Sequence, residues 1–499
     1  MASMFQLRLE WLFDNKRSGG KAYMTDTAVA EATPTSDKPV YSDKYRGTVL
    51  GILVAVYTSN FIDRTIIGTL GEAIKIDLNL TNTQVGLLGG IAFALLYTIL
   101  GIPIARIAEK KSRVNIITIC LVIWSGFTAL CGSATSFLQL LLFRVGVGIG
   151  EAGCSPPAHS LITDYYPPKA RATALSIYSF GIPLGTMIGA VAGGFLVQNV
   201  GWREAFVIVG LPGILIAIIV KLVIKEPPRG HSEEAGGVAE ASMKEPAPSL
   251  MQVAKRLWGT ASFRHITAGV TLASFASYGT GQFAQPYFIR NFGLSYVEVG
   301  LIFGLVGGLA SGAGTLIGGF LTDWIGKKDG KWYALVPAIG LAIATPLYLA
   351  VYSNSSWMIA AGLLMLPGIF HYTYLGPTFG VMHNMVEPRM RATATALLFF
   401  VLNLIALGAG PPFTGWVIDL FVQNSFAAND LGTFIATCPS GKAIVGAPAE
   451  VGAACHAAGA LGTRYGILAV TLIYGWAALH YLLASRTLAA DLKRAAAGQ

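Results

Sequence analysis

Gly319-Phe320-Leu321-Thr322-Asp323-Trp324-Ile325-Gly326-Lys327-Lys328 and Gly101-Ile102-Pro103-Ile104-Ala105-Arg106-Ile107-Ala108-Glu109-Lys110 lie about 218 positions apart, each at the end of a long apolar run. A second pair keeps nearly the same offset: Arg171-Ala172-Thr173-Ala174-Leu175 and Arg391-Ala392-Thr393-Ala394-Thr395 each open such a run. Two independent pairs at one spacing identify an internal repeat, so the chain is built from two similar halves.

The apolar runs say in which solvent the halves fold. Only 12% of the 499 residues are charged and 54% are hydrophobic, against roughly 25% charged in soluble domains. Twelve stretches long enough to cross a hydrocarbon core of about 30 Å are read at 46–74, 83–106, 112–133, 136–163, 169–198, 202–224, 262–290, 294–323, 331–353, 356–385, 391–422 and 461–485. The expected fold is an all-α membrane protein of two pseudo-symmetric six-helix bundles. Its parts are an N-terminal tail (1–45), a first bundle (46–225), a linker (226–261), a second bundle (262–485) and a C-terminal tail (486–499).

The net charge of +9 resides in short loops. That distribution argues against a nucleic-acid-binding domain and sets topology. Lys44, Arg46, Arg106, Lys110, Lys111, Arg113, Lys169, Arg171, Lys225, Arg229, Lys327, Lys328, Lys331, Arg389, Arg391, Arg486, Lys493 and Arg494 fall in loops of one side, which predicts cytoplasmic termini. The first twenty residues mix charges with apolar residues and lack the core of a secretory signal, so they read as a leader before a start at Met24. Leu250, Val253, Leu257 and Trp258 have helical spacing beside Lys255 and Arg256, as in a surface or connecting helix. Cys438 and Cys455 share the long loop before the last run, outside the cytoplasm on this topology, where either a disulfide or two free thiols would fit. No cysteine or histidine spacing suits a metal, and no cofactor motif is present.

Charges inside apolar runs are the functional signal, because an Asp, Lys or Arg at a helix centre costs about 2.5–3.5 kcal/mol. The first run carries Tyr57, Asn60-Phe61-Ile62-Asp63-Arg64, and the fourth carries Arg144-Val145-Gly146-Val147-Gly148-Ile149-Gly150-Glu151. Arg144 and Glu151, seven residues apart, share a helix face about 10 Å apart along the axis. They cannot pair tightly with each other; Arg144 is placed to reach Asp63, or to alternate between Asp63 and an anionic substrate. Asp63 and Glu151 are the candidates to carry a proton, with Arg64 and Arg144 as their partners. The opposing reading is a fixed ion-pair network that locks the bundle.

The repeat offset carries Asp63 to the neighbourhood of Gln282 and Arg144 to that of Leu363, so the second half lacks these charges. Its corresponding runs offer Tyr278, Phe283, His371, Tyr374, Phe399 and Asn403, a largely apolar and aromatic set that suits either core packing or the wall of a site for an amphipathic solute. Ser155, His159 and Asp164 follow one another along one run without a nucleophile elbow, which argues against a hydrolase and for a protein that is not an enzyme.

The Gly-x-x-x-Asp-basic-x-Gly pattern after the second and eighth runs resembles the signature of the major facilitator superfamily. Within it, Asn60-Phe61-Ile62-Asp63-Arg64 and Arg144 through Glu151, followed by Pro156, Pro157, Asp164 and Arg171, resemble the spinster family, a bacterial member most of all. The resemblance implies that Asp323 braces its loop against Arg391 with Gly319, Gly326 and Lys327. It implies a weaker counterpart at Gly101, Arg106 and Arg171, where Ala105 replaces the Asp unless Glu109 substitutes. It also implies a monomeric, proton-coupled transporter of a lysolipid or sphingolipid-like solute in a bacterial inner membrane, working by alternating access. In this reading Asp63, Glu151, Arg64 and Arg144 couple protons and Arg144 meets the headgroup. A carrier of a small organic anion or drug, and a sensor that moves nothing, are the competing readings.

Overall fold

Ser42 accepts a hydrogen bond from the Tyr45 amide at 3.2 Å and places Asp43 in the first turn, so the first long helix starts with its N-terminal donors capped. The same device opens four more helices: Thr81 with Gln84 and Ser295 with Glu298 form reciprocal capping boxes, and Ser112 and Ser136 cap singly. This computed structural model describes residues 41–229, 231–232, 250–386, 390–427 and 431–496. The N-terminal tail up to residue 40, Arg389, and linker positions 230 and 233–249 lie outside the described residues.

Twelve long helical segments follow in order. They are α1 (Asp43–Asp77), α2 (Asn82–Lys110), α3 (Arg113–Cys131), α4 (Phe137–Tyr165), α5 (Pro168–Ser179 continuing as Gly181–Asn199) and α6 (Trp202–Val223) in the first half. The second half holds α7 (Ala261–Phe292), α8 (Tyr296–Gly326), α9 (Trp332–Ser353), α10 (Trp357–Leu363, Met365–Tyr372 and Leu375–Asn384), α11 (Arg391–Val401, Leu402–Leu407 and Gly408–Ala427) and α12 (Ala449–Ala496). Eleven are long and apolar enough to cross a membrane; α7 has the length, at 32 residues, but its Ser, Thr, Gln, His and Arg content lowers its hydropathy. Cys455 lies within α12, which begins twelve residues before the expected 461 because Ala449–Leu461, though only weakly apolar, is rich in helix-forming alanine. The short helix Leu250–Gly259 buries Val253 and Leu257 and leaves Trp258 exposed.

The repeat is visible in where the helices break. α2 is interrupted at Gly90 and α8 holds a π-helical turn at Ile302–Gly307; α4 breaks after Glu151 and α10 after Tyr372; α5 breaks at Phe180 and α11 holds a π turn at Leu402–Leu407. Each pair is separated by roughly 220 residues and lies within a span, where irregular backbone is tolerated only when it faces protein or a cavity.

The halves meet at one end only. At the end bearing Cys438 and Cys455, which are joined by a disulfide, Arg290 of α7 donates from Nε to both Glu72 oxygens at 3.1 and 3.0 Å and from Nη2 to Oε2 at 2.5 Å, while Nη1 donates to Thr463 at 2.8 Å. Asp419 of α11 accepts from the Asn82 amide and Nδ2 and from the Thr83 amide and hydroxyl, thereby capping α2 from the opposite half. Gln282 and Gln285 add bonds to the Ile67 carbonyl and Thr69 hydroxyl. The Val297 amide of α8 donates to Gln198 of α5 at 3.1 Å, so these bonds between the halves share that end. The cores agree: one apolar cluster runs from the first half into Phe283, Tyr287, Ile418 and Val422 of the second, a second joins the linker helix to the second half, and a small third surrounds Cys438 and Cys455.

Breaking one partner of a buried ion pair costs about 3–5 kcal/mol, enough to reverse a two-state preference of a few kcal/mol. Arg290→Met is therefore expected to open the disulfide end. Spin labels at Ser133 and Ser355, one in each half, should show a longer distance in the variant than in the parent.

Candidate functional site

Asn60 and Asp63, three residues apart on α1, face the same way as Arg144 and Glu151 on α4, and all four are buried, with 1–2% of their surface exposed. Their approach depends on glycine. A side chain at Gly148 would run into the Phe93 backbone of α2, and one at Gly150 into Trp124 and Cys120 of α3, so α4 is gripped from both sides at backbone distance.

The ion pair formed here is Arg64 with Glu151, Nε to Oε2 at 2.9 Å. Arg144, expected to reach Asp63, makes no ion pair with it; its Nε donates weakly to the Leu88 carbonyl at 3.4 Å. The reason is lateral: α2 lies against α4 and offers a carbonyl where its helix breaks, within reach of the guanidinium. Arg64 is held in an aromatic cage, 5.2 Å from the Phe61 ring, 4.8 Å from Phe93 and 4.7 Å from Tyr97. Its side chain is 20% exposed while that of Glu151 is fully covered, so the arginine stands at the edge of the site and the glutamate behind it.

Around this pair lie buried polar atoms that make no well-formed hydrogen bond, Asn60 Oδ1, Asp63 Oδ1, Arg144 Nη1, Glu151 Oε1 and Thr128 Oγ1, with Thr128 and Trp124 beside Asp63 and Asn60 beside Glu151. Buried polar atoms are paired in the great majority of cases. Such a cluster of loosely paired polar groups is a candidate for a site. Glu151 also ends its helical segment, at the negative pole of the helix dipole, so its charged form depends on Arg64.

The second half contributes unevenly. Tyr278 is exposed at mid-helix in α7. Phe399 is exposed and packs on Phe379, and Asn403 lies in the π turn of α11. Phe283, Tyr374, His371 and Gln282 do not form a wall in this structure. Phe283 is in the apolar core shared by the halves, Tyr374 bonds Ser274 at 3.0 Å, and His371 is enclosed by Tyr348, Tyr372, Tyr374 and Tyr474. Gln282 packs against Gly89, and Tyr57 stacks on Tyr178 at 4.4 Å. The sequence reading missed Thr128, Phe93 and Tyr97, because neutral residues in apolar helices give no pattern that separates them from packing.

Two six-helix halves sealed at one end, with charges buried at the centre of one, can be compared with known proteins. The profile of the Major Facilitator Superfamily matches residues 53–411. The chain belongs to that superfamily. A solved structure of a bacterial homologue of the human lysosomal transporter spinster, inward-facing and unoccupied, is 38% identical, with a TM-score of 0.83 over 90% of this chain and 99% of that one. An MFS-type efflux pump of Mycolicibacterium smegmatis is 31% identical over 80% of this chain and 90% of its own. A sphingosine-1-phosphate transporter of Xenopus tropicalis is 26% identical over 83% of each. The protein is thus an integral membrane transporter of spinster-like type, and not an enzyme.

The superfamily's loop motifs differ between the halves. In the second, Asp323 accepts from the Tyr333 hydroxyl at 3.1 Å; the side chain of Arg391 lies outside the described residues. In the first, Gly101 faces open space, Arg106 is exposed, and Arg171 donates to the Thr163 and Tyr166 carbonyls at 3.1 Å. A separate ionic network lies nearby in the same half. Buried Arg113 pairs with Asp164 of α4 and, at 2.7 Å, with Glu226 just beyond α6, and donates to the Ser160 hydroxyl and the Pro227 carbonyl at 2.8 and 3.0 Å. Glu226 also accepts from the Val114 amide at 3.0 Å and Ser112 at 2.9 Å.

Burial pushes the Glu226 carboxyl up, but the Val114 amide, Arg113 and Ser112 outweigh it and hold the group below its ordinary value of 4.5. A depressed carboxylate stabilises the fold above its unfolded pKa and loses that contribution as pH falls through the folded one. Glu226→Gln should therefore lower the melting temperature at pH 7, and the gap to the parent should close as pH drops below about 4, measured by thermal unfolding in detergent.

Proposed function

We propose that the protein is a proton-coupled carrier of an amphipathic anion, of lysolipid or sphingolipid-like class, moved by alternating access between the two halves. The observation that carries this reading is the Arg64–Glu151 pair, in which the cation is the accessible partner and the carboxylate the covered one. An anionic headgroup that takes Arg64 leaves Glu151 without its counter-charge in a buried place, and a proton then neutralises it. Proton and anion favour each other's binding by the same factor, so both travel in one state. Arg144 behind the pair supplies an unpaired donor, Nη1, with which a phosphate or carboxylate would bond. Tyr278 and Phe399 give the second half an apolar face for a hydrocarbon tail. A sphingosine-1-phosphate transporter among the relatives supports a lipid of this kind.

The end that bears Lys110, Lys111, Arg113, Lys327, Lys328 and Lys331 is assigned to the cytoplasm and the disulfide end to the oxidising side. Both termini are then cytoplasmic, the membrane is the bacterial inner membrane, and the conformation described is inward-open. A monomer holds the whole site. The likeness to an MFS-type efflux pump supports a second reading, in which the same pair serves a small organic anion or drug.

The test is flux of a lysolipid into proteoliposomes with and without a pH gradient. The parent should respond to the gradient; Glu151→Gln should bind the lipid with no dependence on pH, and Arg64→Lys should lose about tenfold in affinity because an ammonium cannot reproduce the planar fork. A pH response retained in Glu151→Gln overturns the coupling. Flux of an organic anion with no lysolipid flux favours the second reading.

A further inference from the structure

At the disulfide end a cavity of about 190 Å³ lies where α1, α7, α12 and the loop before α12 converge, far from the central charges. Its polar lining includes Glu72, Lys75, Asn82, Arg290, Lys442 and His456, with Tyr296 and Ser440 beside them. The three basic residues outnumber the one carboxylate there, and Glu72 is consumed by Arg290. Lys75 is buried, with 5% of its surface exposed, and forms no ion pair of its own; its one partner is the Ser440 carbonyl at 2.9 Å. An ammonium has three donors, so two of them face the cavity unmatched. Lys442 is exposed at the mouth and makes no side-chain bond.

The loop is shaped for this approach. Ser440 and Gly441 have φ of 56° and 91°, a left-handed turn that aims the Ser440 carbonyl at Lys75. A side chain on Gly441 would stand 3.3 Å from the Lys75 ammonium. The disulfide between Cys438 and Cys455 ties that turn to α12. Asp419 spends its oxygens on Asn82 and Thr83 and does not neutralise the lysine by contact. Asn82 Oδ1 is buried and unpartnered at the cavity wall.

We propose that this cavity binds a phosphate group, which bridges Lys75 of the first half to Lys442 of the second and so holds the disulfide end closed. Charge calls for an anion, and the orphan Asn82 acceptor calls for one that also carries an O–H, which a protonated phosphate oxygen provides and chloride does not. The volume is several times a water's share of roughly 30 Å³ in the liquid, room for a tetrahedral oxyanion and its waters. Because the bridge spans the halves, binding favours one conformation and acts as an external brake or bias on the transport cycle. The site is independent of the central pair and of what that pair carries.

The test uses the purified full-length protein at pH 7 and constant ionic strength, with inorganic phosphate and a lysophosphatidate as separate probes and chloride as the control. Phosphate should raise the melting temperature by roughly 3 °C and sharpen the short-distance population of labels at Ser133 and Ser355. Lys75→Met and Lys442→Ala should each weaken the effect at least about tenfold; the second alters an exposed side chain without contacts and keeps the test valid if the first fails to fold. A response to inorganic phosphate identifies the free anion as ligand, and a response to the lysophosphatidate alone, lost in Lys442→Ala, identifies a headgroup. No response to either probe, or one that survives Lys442→Ala, overturns the proposal.

Discussion

Hydrocarbon does not solvate charge, and that constraint organises this molecule more than any single contact. Asp63, Arg64, Arg144 and Glu151 must be turned away from lipid, so α1 and α4 are forced to the interior of the first bundle with those faces inward. Once inside, the groups need partners at close range, and the glycines of α4 give it by letting α2 and α3 approach at backbone distance. The site is therefore a consequence of helix packing, and the packing is a consequence of the need to hide charge.

The same constraint explains why the halves differ at their ends. At the disulfide end the Glu72–Arg290 pair is shared between the halves and is nearly dry, which makes it costly to break without replacement. At the basic end the first half keeps its ions to itself: Arg113, Asp164 and Glu226 tie α3, α4 and the exit of α6 into one unit. One half can then swing relative to the other at that end without separating charges. Rigid bundles, one ionic seal between them and broken helices at mid-span together form the physical basis of a rocking carrier.

The Arg64 cage adds a feature of control. Three aromatic rings hold the guanidinium near Glu151, and the Tyr97 side chain also bonds it. The arginine is thus positioned beside Glu151, as the proposed exchange between an internal carboxylate and an incoming anion requires.

Much of this was legible in the chain alone. The repeat of Gly101 and Gly319, and of Arg171 and Arg391, together with long apolar runs, determined two six-helix halves in a membrane, because hydropathy and spacing are local properties. The cost of charge in lipid likewise marked Asp63, Arg64, Arg144 and Glu151. Which of them pair was not legible: that Arg64 and not Arg144 holds a carboxylate depends on α2 offering the Leu88 carbonyl and an aromatic cage, and contacts between helices distant in sequence leave no periodic trace. Glu72 with Arg290, Asp419 with Asn82, and Glu226 with Arg113 escaped for the same reason. Each residue sits at a helix end where charge is ordinary, and only the tertiary structure, by bringing two such ends together out of water, makes the pair matter.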